Sequence, residues 1–193
     1  MALILASASA IRRSMLEQAG VRFTVQPANV DEGDEKRNHS DPVQLASALA
    51  EAKALSVSRD HREDWVIGSD SVVSVGGRRF DKANDRAQAA EHLRFFSGKE
   101  MVLTSAVALA RNGASEWLHC NSARLNVRSL SERFIERYLE AEWPEVGYCV
   151  GVFRLEGPGV QLFESVEGSY FTILGMPLLP LLEALRERGL LEL

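Results

Sequence analysis

The sequence predicts one α/β domain, built on a mixed and twisted central β-sheet with helices packed against it. Three observations support this fold class. The 193 residues are 46% apolar and 25% charged, which are the proportions of an ordinary globular protein. The first half of the chain alternates strand patterns with helix patterns, and the second half carries hairpin signals, which indicate antiparallel strands. We expect this single domain to cover residues 1–193.

Strand and helix patterns alternate from the beginning of the chain. Residues 2–6 are a short apolar run, typical of a strand that is buried on both faces. Residues 11–20 follow as a helix, and Gly20 is placed to end it. Apolar and polar side chains alternate over residues 21–25, which predicts a second strand. The polar and charged residues 31–41 are expected to form a loop.

A helix and two strands are predicted next. Asp41 and Pro42 supply an N-cap and a first-turn proline for a helix with one apolar face. Two β-rich runs, residues 65–67 and 72–75, flank a short polar segment. Asp70 lies in that segment, so we expect it at a junction between two strands.

The rest of the chain shows cap and turn signals of its own. Asn84 or Asp85 can cap a helix, Asn112-Gly113 is a hairpin signal, and Ser131 can cap a further helix. The elements expected there are a helix over 84–96, strands over 101–110 and 117–127, a helix over 131–139, strands within 150–154 and 160–166, and a helix over 177–188.

The charge balance and the cysteine count exclude several classes of protein. Lys and Arg number 22 against 27 Asp and Glu, so the net charge is −5, and only four residues are lysines. This acidic balance argues against a nucleic-acid partner, because binding the phosphate backbone of a nucleic acid needs a cationic protein surface. A local arginine cluster can still bind a small anion. Cys120 and Cys149 lack metal-ligand spacing, so we expect two buried, reduced thiols.

No targeting or membrane segment is predicted. The apolar start of the chain ends in small residues, but it is too short for a signal peptide and lacks a cationic beginning. No later stretch is long and apolar enough to span a bilayer. We therefore expect a cytoplasmic protein with no membrane partner.

Two candidate chemical groups follow the first two strand patterns. The small residues after the first strand lead to Arg12 and Arg13, and a helix start with two guanidinium groups can bind phosphate oxygens. Two solvated arginines on a surface helix are the alternative. Asp70 lies in an apolar strand context, where a carboxylate needs a metal, a cation or water. Its alternative is a turn-capping aspartate.

Two lysines and two acids complete the candidate set. Lys53 and Lys82 each follow an apolar pattern that places them near a sheet edge, where two cations could hold a polyphosphate. Both can equally be surface lysines with solvated head groups. Asp31 and Glu32 could ligate Mg²⁺ or Mn²⁺, although adjacent acids in loops are usually just solvated.

Taken together, these segments resemble the Maf family of nucleoside triphosphate pyrophosphatases, also known as septum formation inhibitor proteins. Several matching motifs at the right distances from one another identify a family much more specifically than any single motif does. The similarity covers nearly the whole chain. The matching segments are 5–13 (LASASAIRR), 30–32 (VDE), 49–54 (LAEAKA), 67–70 (IGSD), Lys82, 93–98, 156–157, 168–169 and 174–178.

The resemblance implies an activity and a set of site residues. Members hydrolyse a nucleoside triphosphate to the monophosphate and pyrophosphate with a divalent metal (Mg²⁺, Mn²⁺ or Co²⁺), and the fold is Maf/ITPase-like. It implies that Asp70 accepts the proton and that Glu32 and Asp70 hold the metal. The implied phosphate contacts are Ser7, Arg12, Arg13, Lys53 and Lys82. A homodimer is common in the family. The alternative function is a non-catalytic regulator of cell division that binds nucleotides or a division protein.

Three positions that sort substrates within the family correspond to Ile11, Ser71 and Glu156. The branch that prefers 7-methyl-GTP has an aromatic residue, a glutamine and a glutamate there, and the dTTP/UTP branch has arginine, threonine and glutamine. Only Glu156 is shared with the first branch. A carboxylate accepts hydrogen bonds from the adjacent N–H donors of guanine, and methylation at N7 adds positive charge that it favours. The sequence favours 7-methyl-GTP, and Ile11 and Ser71 leave other nucleotides open.

Overall fold

The structure, a computed structural model, describes residues 2–192. The described chain forms one seven-stranded sheet with α-helices packed around it. The strands are β1 (Leu3–Leu5), β2 (Thr24–Val25), β3 (Trp65–Val75), β4 (Arg78–Phe80), β5 (Glu100–Arg111), β6 (Ala114–Val127) and β7 (Phe163–Glu167). The helices are α1 (Ala10–Gln18), α2 (Gly33–Asn38), α3 (Pro42–Ser58), α4 (Arg86–Phe96), α5 (Glu132–Glu142), α6 (Tyr170–Ile173) and α7 (Leu178–Glu187). Short 3-10 helices lie at Glu145–Tyr148 and Pro158–Leu162.

The sheet is mixed, as the sequence predicts. Its strand order is β2-β1-β3-β5-β6-β7, with β4 also paired to β3. β1 runs parallel to both neighbours, with Leu5 opposite Ile67. β4 runs antiparallel to β3, and β7 runs antiparallel to β6. The predicted α/β class with a mixed, helix-flanked sheet is therefore confirmed.

The chain groups into two compact units. The first unit contains the residues up to Ser71, Thr104–Asn121 and the residues from Ser169 onward. The second unit contains Val72–Leu103 and Ser122–Gly168. No helix among residues 2–192 is both long and apolar enough to cross a membrane.

In the first unit, β1 and β3 are covered by the apolar faces of helices. Leu5 and Ile67 on these strands are fully buried in one cluster with Leu16 of α1 and Leu181 of α7. The start of α3 is fixed locally, because the Asp41 side chain accepts a hydrogen bond from the Gln44 backbone N–H, as its N-cap position predicts.

In the second unit, α4 and α5 begin at capped residues and pack against each other. Asp85 caps α4 and Ser131 caps α5, both through side-chain bonds to backbone N–H groups. Tyr138 and Glu142, one turn apart on α5, bind the loop after it. Tyr138 donates to the Val152 carbonyl oxygen at 3.1 Å, and Glu142 accepts from the Arg154 guanidinium at 2.9 Å.

Three sequence predictions of local structure are wrong. The expected break in the region of residues 65–75 is absent, because these residues form one strand, β3, that pairs with β1. Residues 150–154 form no strand, since Gly151 and Val152 have φ of 91° and 58°. The expected loop over 31–41 contains α2, an exposed helix stabilised by ion pairs between side chains one turn apart.

Candidate active site

A close approach between α3 and β3 places a lysine against an aspartate. At Gly68 on β3, a Cβ atom would lie 2.2 Å from the Ala50 carbonyl oxygen and 2.5 Å from the Ala54 backbone nitrogen. Only glycine permits this approach. Lys53 on α3 therefore reaches Asp70 on β3, with Lys53 Nζ 2.5 Å from Asp70 Oδ1.

The same ammonium group contacts a second carboxylate. Lys53 Nζ is 2.8 Å from Glu32 Oε1, and Lys36 Nζ is 3.3 Å from the other oxygen of Glu32. The side chains of Lys53 and Asp70 are 16% and 14% exposed, and that of Glu32 is 35% exposed. Burial acts to raise the pKa of Glu32, but the hydrogen bonds and charges of the two lysines outweigh it and hold the pKa below its usual value. Glu32 is therefore ionised at neutral pH.

Arg12 lies beside this cluster and binds acceptors of the protein itself. Its Nε donates to the Gly175 carbonyl oxygen at 2.8 Å. Its Nη1 donates to the Ser69 carbonyl oxygen and its Nη2 to Ser71 Oγ, both at 3.0 Å. Burial lowers the pKa of Arg12, and the negative charge of Asp70 opposes that shift. A guanidinium nevertheless stays protonated in proteins, so Arg12 places a positive charge next to the carboxylates.

The loop before α1 adds a hydroxyl to the same region. Ser7 is buried, and its Oγ accepts a hydrogen bond from the Ser9 backbone N–H at 3.2 Å. Arg12 Nη1 lies 3.5 Å from the same oxygen. The loop leads directly into the first turn of α1, where unpaired backbone N–H groups favour an anion. Ser7, Arg12, Lys53, Asp70 and Glu32 are thus the predicted residues that the first unit brings together.

Arg13 points away from this cluster. Its Nε donates to Glu17 Oε1 at 2.7 Å, one turn along α1, and its side chain is 61% exposed. The hydrogen bond to Glu17 raises the pKa of Arg13. The guanidinium groups of Arg12 and Arg13 therefore have different partners in this structure, since successive helical residues point about 100° apart.

Comparison with known proteins identifies the family. A family model described as "Maf-like protein" matches residues 2–188. The chain belongs to the Maf family. It is 46% identical to a protein of Rhizobium meliloti named 7-methyl-GTP pyrophosphatase, over 98% of each chain. It is also 46% identical to a protein of Granulibacter bethesdensis named nucleoside triphosphate pyrophosphatase, over 97% of each chain. A solved HAM1 protein from Coxiella burnetii, 14% identical, aligns over 65% of this chain and 72% of its own, with a TM-score of 0.46.

Four predicted site residues of this Maf chain remain to be placed. Ile11 is half-buried on α1, and Ser71 lies beside Arg12. Lys82 and Glu156 are exposed residues of the second unit. Burial raises the pKa of the Cys149 thiol, Glu156 adds to the shift, and Lys82 opposes it. Glu156 and Lys82 are therefore both close enough to Cys149 to affect the pKa of its thiol.

The two cysteines differ from the sequence prediction in their burial. Cys120 and Cys149 are both unpaired, and each is half-buried rather than buried. Burial raises the pKa of Cys120, as it does that of Cys149. A raised pKa keeps both thiols protonated at neutral pH, which makes them poor nucleophiles.

The carboxylates of Glu32 and Asp70 fit a divalent cation whose other ligands are substrate phosphates and water. Glu32 and Asp70 both lie within hydrogen-bonding distance of one ammonium nitrogen, so they are close enough to share a cation. Among residues 2–192 there is no group of three or more His, Cys, Asp or Glu side chains suited to a metal. Mg²⁺ commonly uses one or two carboxylates, with water and substrate phosphates completing its shell.

Sequence reasoning missed residues that hold Arg12 directly or through Ser71. Ser69, Ser105 and Gly175 have no chemical signature of their own in the sequence. Gly175 lies 163 positions from Arg12, and only the folded chain brings its carbonyl oxygen to the guanidinium. The only sequence signal was that Gly175 lies within the family motif at 174–178, which indicates that the residue matters but not what it does.

Proposed function

We propose that this Maf chain hydrolyses a nucleoside triphosphate to the nucleoside monophosphate and pyrophosphate. The observation that carries the proposal is the bridge that Lys53 makes between Asp70 and Glu32, with the Arg12 cation beside it. A polyanion needs such cations, and a hydrolytic water needs such a carboxylate. The names of the two relatives described above support the same reaction.

The reaction requires a water oxygen to bond to the α-phosphorus while the bond from that phosphorus to the bridging oxygen breaks. Pyrophosphate leaves with the electron pair of that bond, and the proton of the water passes to Asp70. In this proposal Lys53 exchanges its carboxylate contacts for phosphate oxygens, and Arg12 contributes its fixed charge to the same region. Ser7 and the start of α1 supply hydrogen-bond donors to phosphate.

A free aspartate, with a pKa of about 3.9, is a weak base at neutral pH. A divalent cation (Mg²⁺, Mn²⁺ or Co²⁺) held by Glu32 and Asp70 would supply the missing activation, since it lowers the pKa of water and neutralises phosphate charge. The protein residues then bind the triphosphate, orient it and receive the proton.

We further propose 7-methyl-GTP as the favoured substrate. Glu156 is an exposed carboxylate that can accept hydrogen bonds from the N–H donors of guanine, and its charge favours a methylated, cationic ring. Ile11 and Ser71, the other two positions that sort substrates in the family, would contribute to the choice of base, and Lys82 would add a cationic contact to the phosphates. These roles rest on the family resemblance.

A nucleotide panel tests the activity. The wild-type protein is incubated with 7-methyl-GTP, GTP, dTTP, UTP and ATP, each with Mg²⁺, Mn²⁺ or Co²⁺, and inorganic phosphate is measured with and without added pyrophosphatase. We expect phosphate only when pyrophosphatase is present, with 7-methyl-GTP the best substrate. Phosphate release without pyrophosphatase would contradict the cleavage position, and no turnover in any mixture would contradict the activity.

The remaining parts of the proposal are a cytoplasmic location and a homodimeric state. Cell fractionation tests the location, and sedimentation of the purified protein tests the homodimeric state. The alternative of a non-catalytic cell-division regulator is not favoured, because the relatives described above are named as enzymes.

A further inference from the structure

A buried carboxylate of α5 holds an arginine of the loop that follows this helix. The Glu142 side chain is 6% exposed, and its Oε2 accepts hydrogen bonds from Arg154 Nε at 3.1 Å and from Arg154 Nη2 at 2.9 Å. A buried charge is costly unless it is paired. The two side chains therefore form an ion pair in which the charge of Arg154 is cancelled by that of Glu142.

The same arginine begins the tight turn that carries Glu156. The Gly157 backbone N–H donates to the Arg154 carbonyl oxygen at 3.3 Å, which closes a turn over residues 154–157. A Cβ atom at Gly157 would lie 3.7 Å from Glu142 Oε2, the oxygen that holds the Arg154 guanidinium. Glu156 precedes Gly157 in this turn, so it lies near both members of the ion pair.

The backbone before this turn is held in an unusual conformation. Val152 is buried and has a φ of +58°, which costs free energy for a β-branched residue. Its carbonyl oxygen accepts a hydrogen bond from the Tyr138 hydroxyl at 3.1 Å. Tyr138 and Glu142 lie one turn apart on α5, so one face of this helix fixes the loop at Val152 and again at Arg154. The position of the turn that carries Glu156 is therefore set by α5.

Glu156 is left as the uncompensated charge of this group. It is an exposed carboxylate, and it makes no ion pair among residues 2–192. The hydrogen bond to Glu142 raises the pKa of Arg154, and the charge of Glu156 adds to this rise, so Glu156 and Arg154 act on each other. Two carboxylates and one guanidinium leave one net negative charge. Because Glu142 cancels Arg154, that negative charge remains at Glu156.

We propose that the Glu142–Arg154 ion pair keeps the Arg154 charge from neutralising Glu156, and thereby sustains a preference for the cationic 7-methylguanine ring over guanine. The inference rests on the proposed function, which assigns the base to Glu156. Glu142 and Arg154 are positioning residues, because they act through Glu156. Without the charge of Glu142, Arg154 faces Glu156 as an unbalanced cation and the attraction for a positively charged ring falls. Removal of both charges of the pair restores it.

Affinities for two nucleoside monophosphates test the inference without turnover. The dissociation constants of 7-methyl-GMP and GMP, which differ by one methyl group and its charge, are measured by calorimetry for wild type, Glu142→Gln and the combined Glu142→Gln/Arg154→Gln variant. We expect the preference for 7-methyl-GMP to fall about fivefold in Glu142→Gln, the effect of one partly exposed charge, and to return to within about twofold of wild type in the combined variant. Glu136→Gln removes a carboxylate from the same helix and breaks an exposed ion pair with Arg86, so it is the control and should leave the preference unchanged.

The combined variant separates this charge effect from a purely structural role. An ion pair that only braces the loop predicts a lower preference in both the single and the combined variant. An ion pair without influence on the base predicts an unchanged preference in both. Either result would overturn the inference. Thermal melting identifies a variant that fails to fold, and Glu142→Met, which fills the same space without a polar group, carries the same expected loss in place of Glu142→Gln.

Failure of the proposed function gives a different result. A wild-type protein that prefers 7-methyl-GMP but hydrolyses no triphosphate would contradict the activity, and the affinities would still decide the role of the ion pair. Equal affinity of wild type for 7-methyl-GMP and GMP, or an unchanged preference in Glu156→Gln, would contradict the assignment of Glu156 to the base and overturn the inference with it.

Discussion

The two units of the chain hold their candidate charges in different ways. In the first unit Lys53 and Asp70 are mostly buried, bind each other directly and are fixed by the approach of α3 to β3 at Gly68. In the second unit Lys82 and Glu156 are exposed. Buried, mutually bound charges are preorganised for chemistry, whereas exposed side chains can change without disturbing the core. We therefore expect substitution of Lys53 or Asp70 to change the rate and substitution of Glu156 to change the choice of nucleotide.

Asp70→Asn is expected to have the largest effect. Asparagine keeps the shape of the side chain but neither accepts the proton nor balances the Lys53 charge, so kcat should fall by about 10³-fold or more. Nucleotide binding, measured by calorimetry, should persist because the cations remain. Asp60→Asn, at an exposed position of the same unit, is the matched control. Turnover of the Asp70→Asn protein near the wild-type rate would remove Asp70 from the chemistry.

Glu156→Gln tests the second unit. A glutamine can donate as well as accept, so it can bond to the carbonyl oxygens of a pyrimidine and loses the charge that favours a methylated guanine. We expect the ratio of kcat/KM for 7-methyl-GTP over UTP to fall about tenfold, while kcat for the better substrate stays within about threefold of wild type. Glu164→Gln, an exposed glutamate of the same unit, is the control. An unchanged ratio would contradict the contrast between the units.

The Glu32 contact with Lys53 predicts a smaller, pH-dependent effect on stability. The pKa of Glu32 is below its usual value in the folded protein, so its contribution is full well above the unfolded pKa of about 4.3 and is lost as the pH falls through the folded pKa. Because the side chain is 35% exposed, solvent screening limits the contribution to about 1 kcal/mol.

Urea unfolding of wild type and Glu32→Gln measures this contribution. The difference in unfolding free energy should be present at pH 7 and should shrink progressively as the pH is lowered below about 4.3. A difference that stays constant down to about pH 3 would show that the Glu32 charge does not contribute.

Arg13→Ala should have the smallest effect. The Arg13 side chain is 61% exposed and bound to Glu17, so its loss removes one surface ion pair and one distant charge. We expect kcat/KM to change by about threefold or less. Arg12→Ala, measured beside it, should cost far more, because Arg12 makes three hydrogen bonds within the first unit. Equal losses in the two variants would contradict the different environments of these neighbours.

Signals between residues close in sequence predicted most of the helices and strands. The remaining ones depend on packing between segments that are distant in sequence. The caps at Asp41, Asp85 and Ser131 were predictable because a cap involves residues three positions apart. The continuity of β3 was not, because it depends on β1 and β5, the neighbouring strands in the sheet, which are distant in sequence.

The same distinction applies to the candidate site. Lys53, Glu32 and Asp70 stood out as charges within family motifs, but their mutual contact depends on how α3 approaches β3. Ser105 has an ordinary side chain on an apolar strand, and its part in the site follows only from the bond to Ser71. Residue chemistry could therefore be predicted from the sequence, and the geometry that orders it could not.

The central claim is that Lys53 and Asp70 act as one unit in turnover. A double-mutant cycle on kcat/KM with Lys53→Met, Asp70→Asn and the combined variant, using the best nucleotide of the panel, tests it most directly. We predict strong non-additivity, with the combined variant no less active than Asp70→Asn alone. Losses that multiply, so that the combined variant shows the product of the two single effects, would contradict the account.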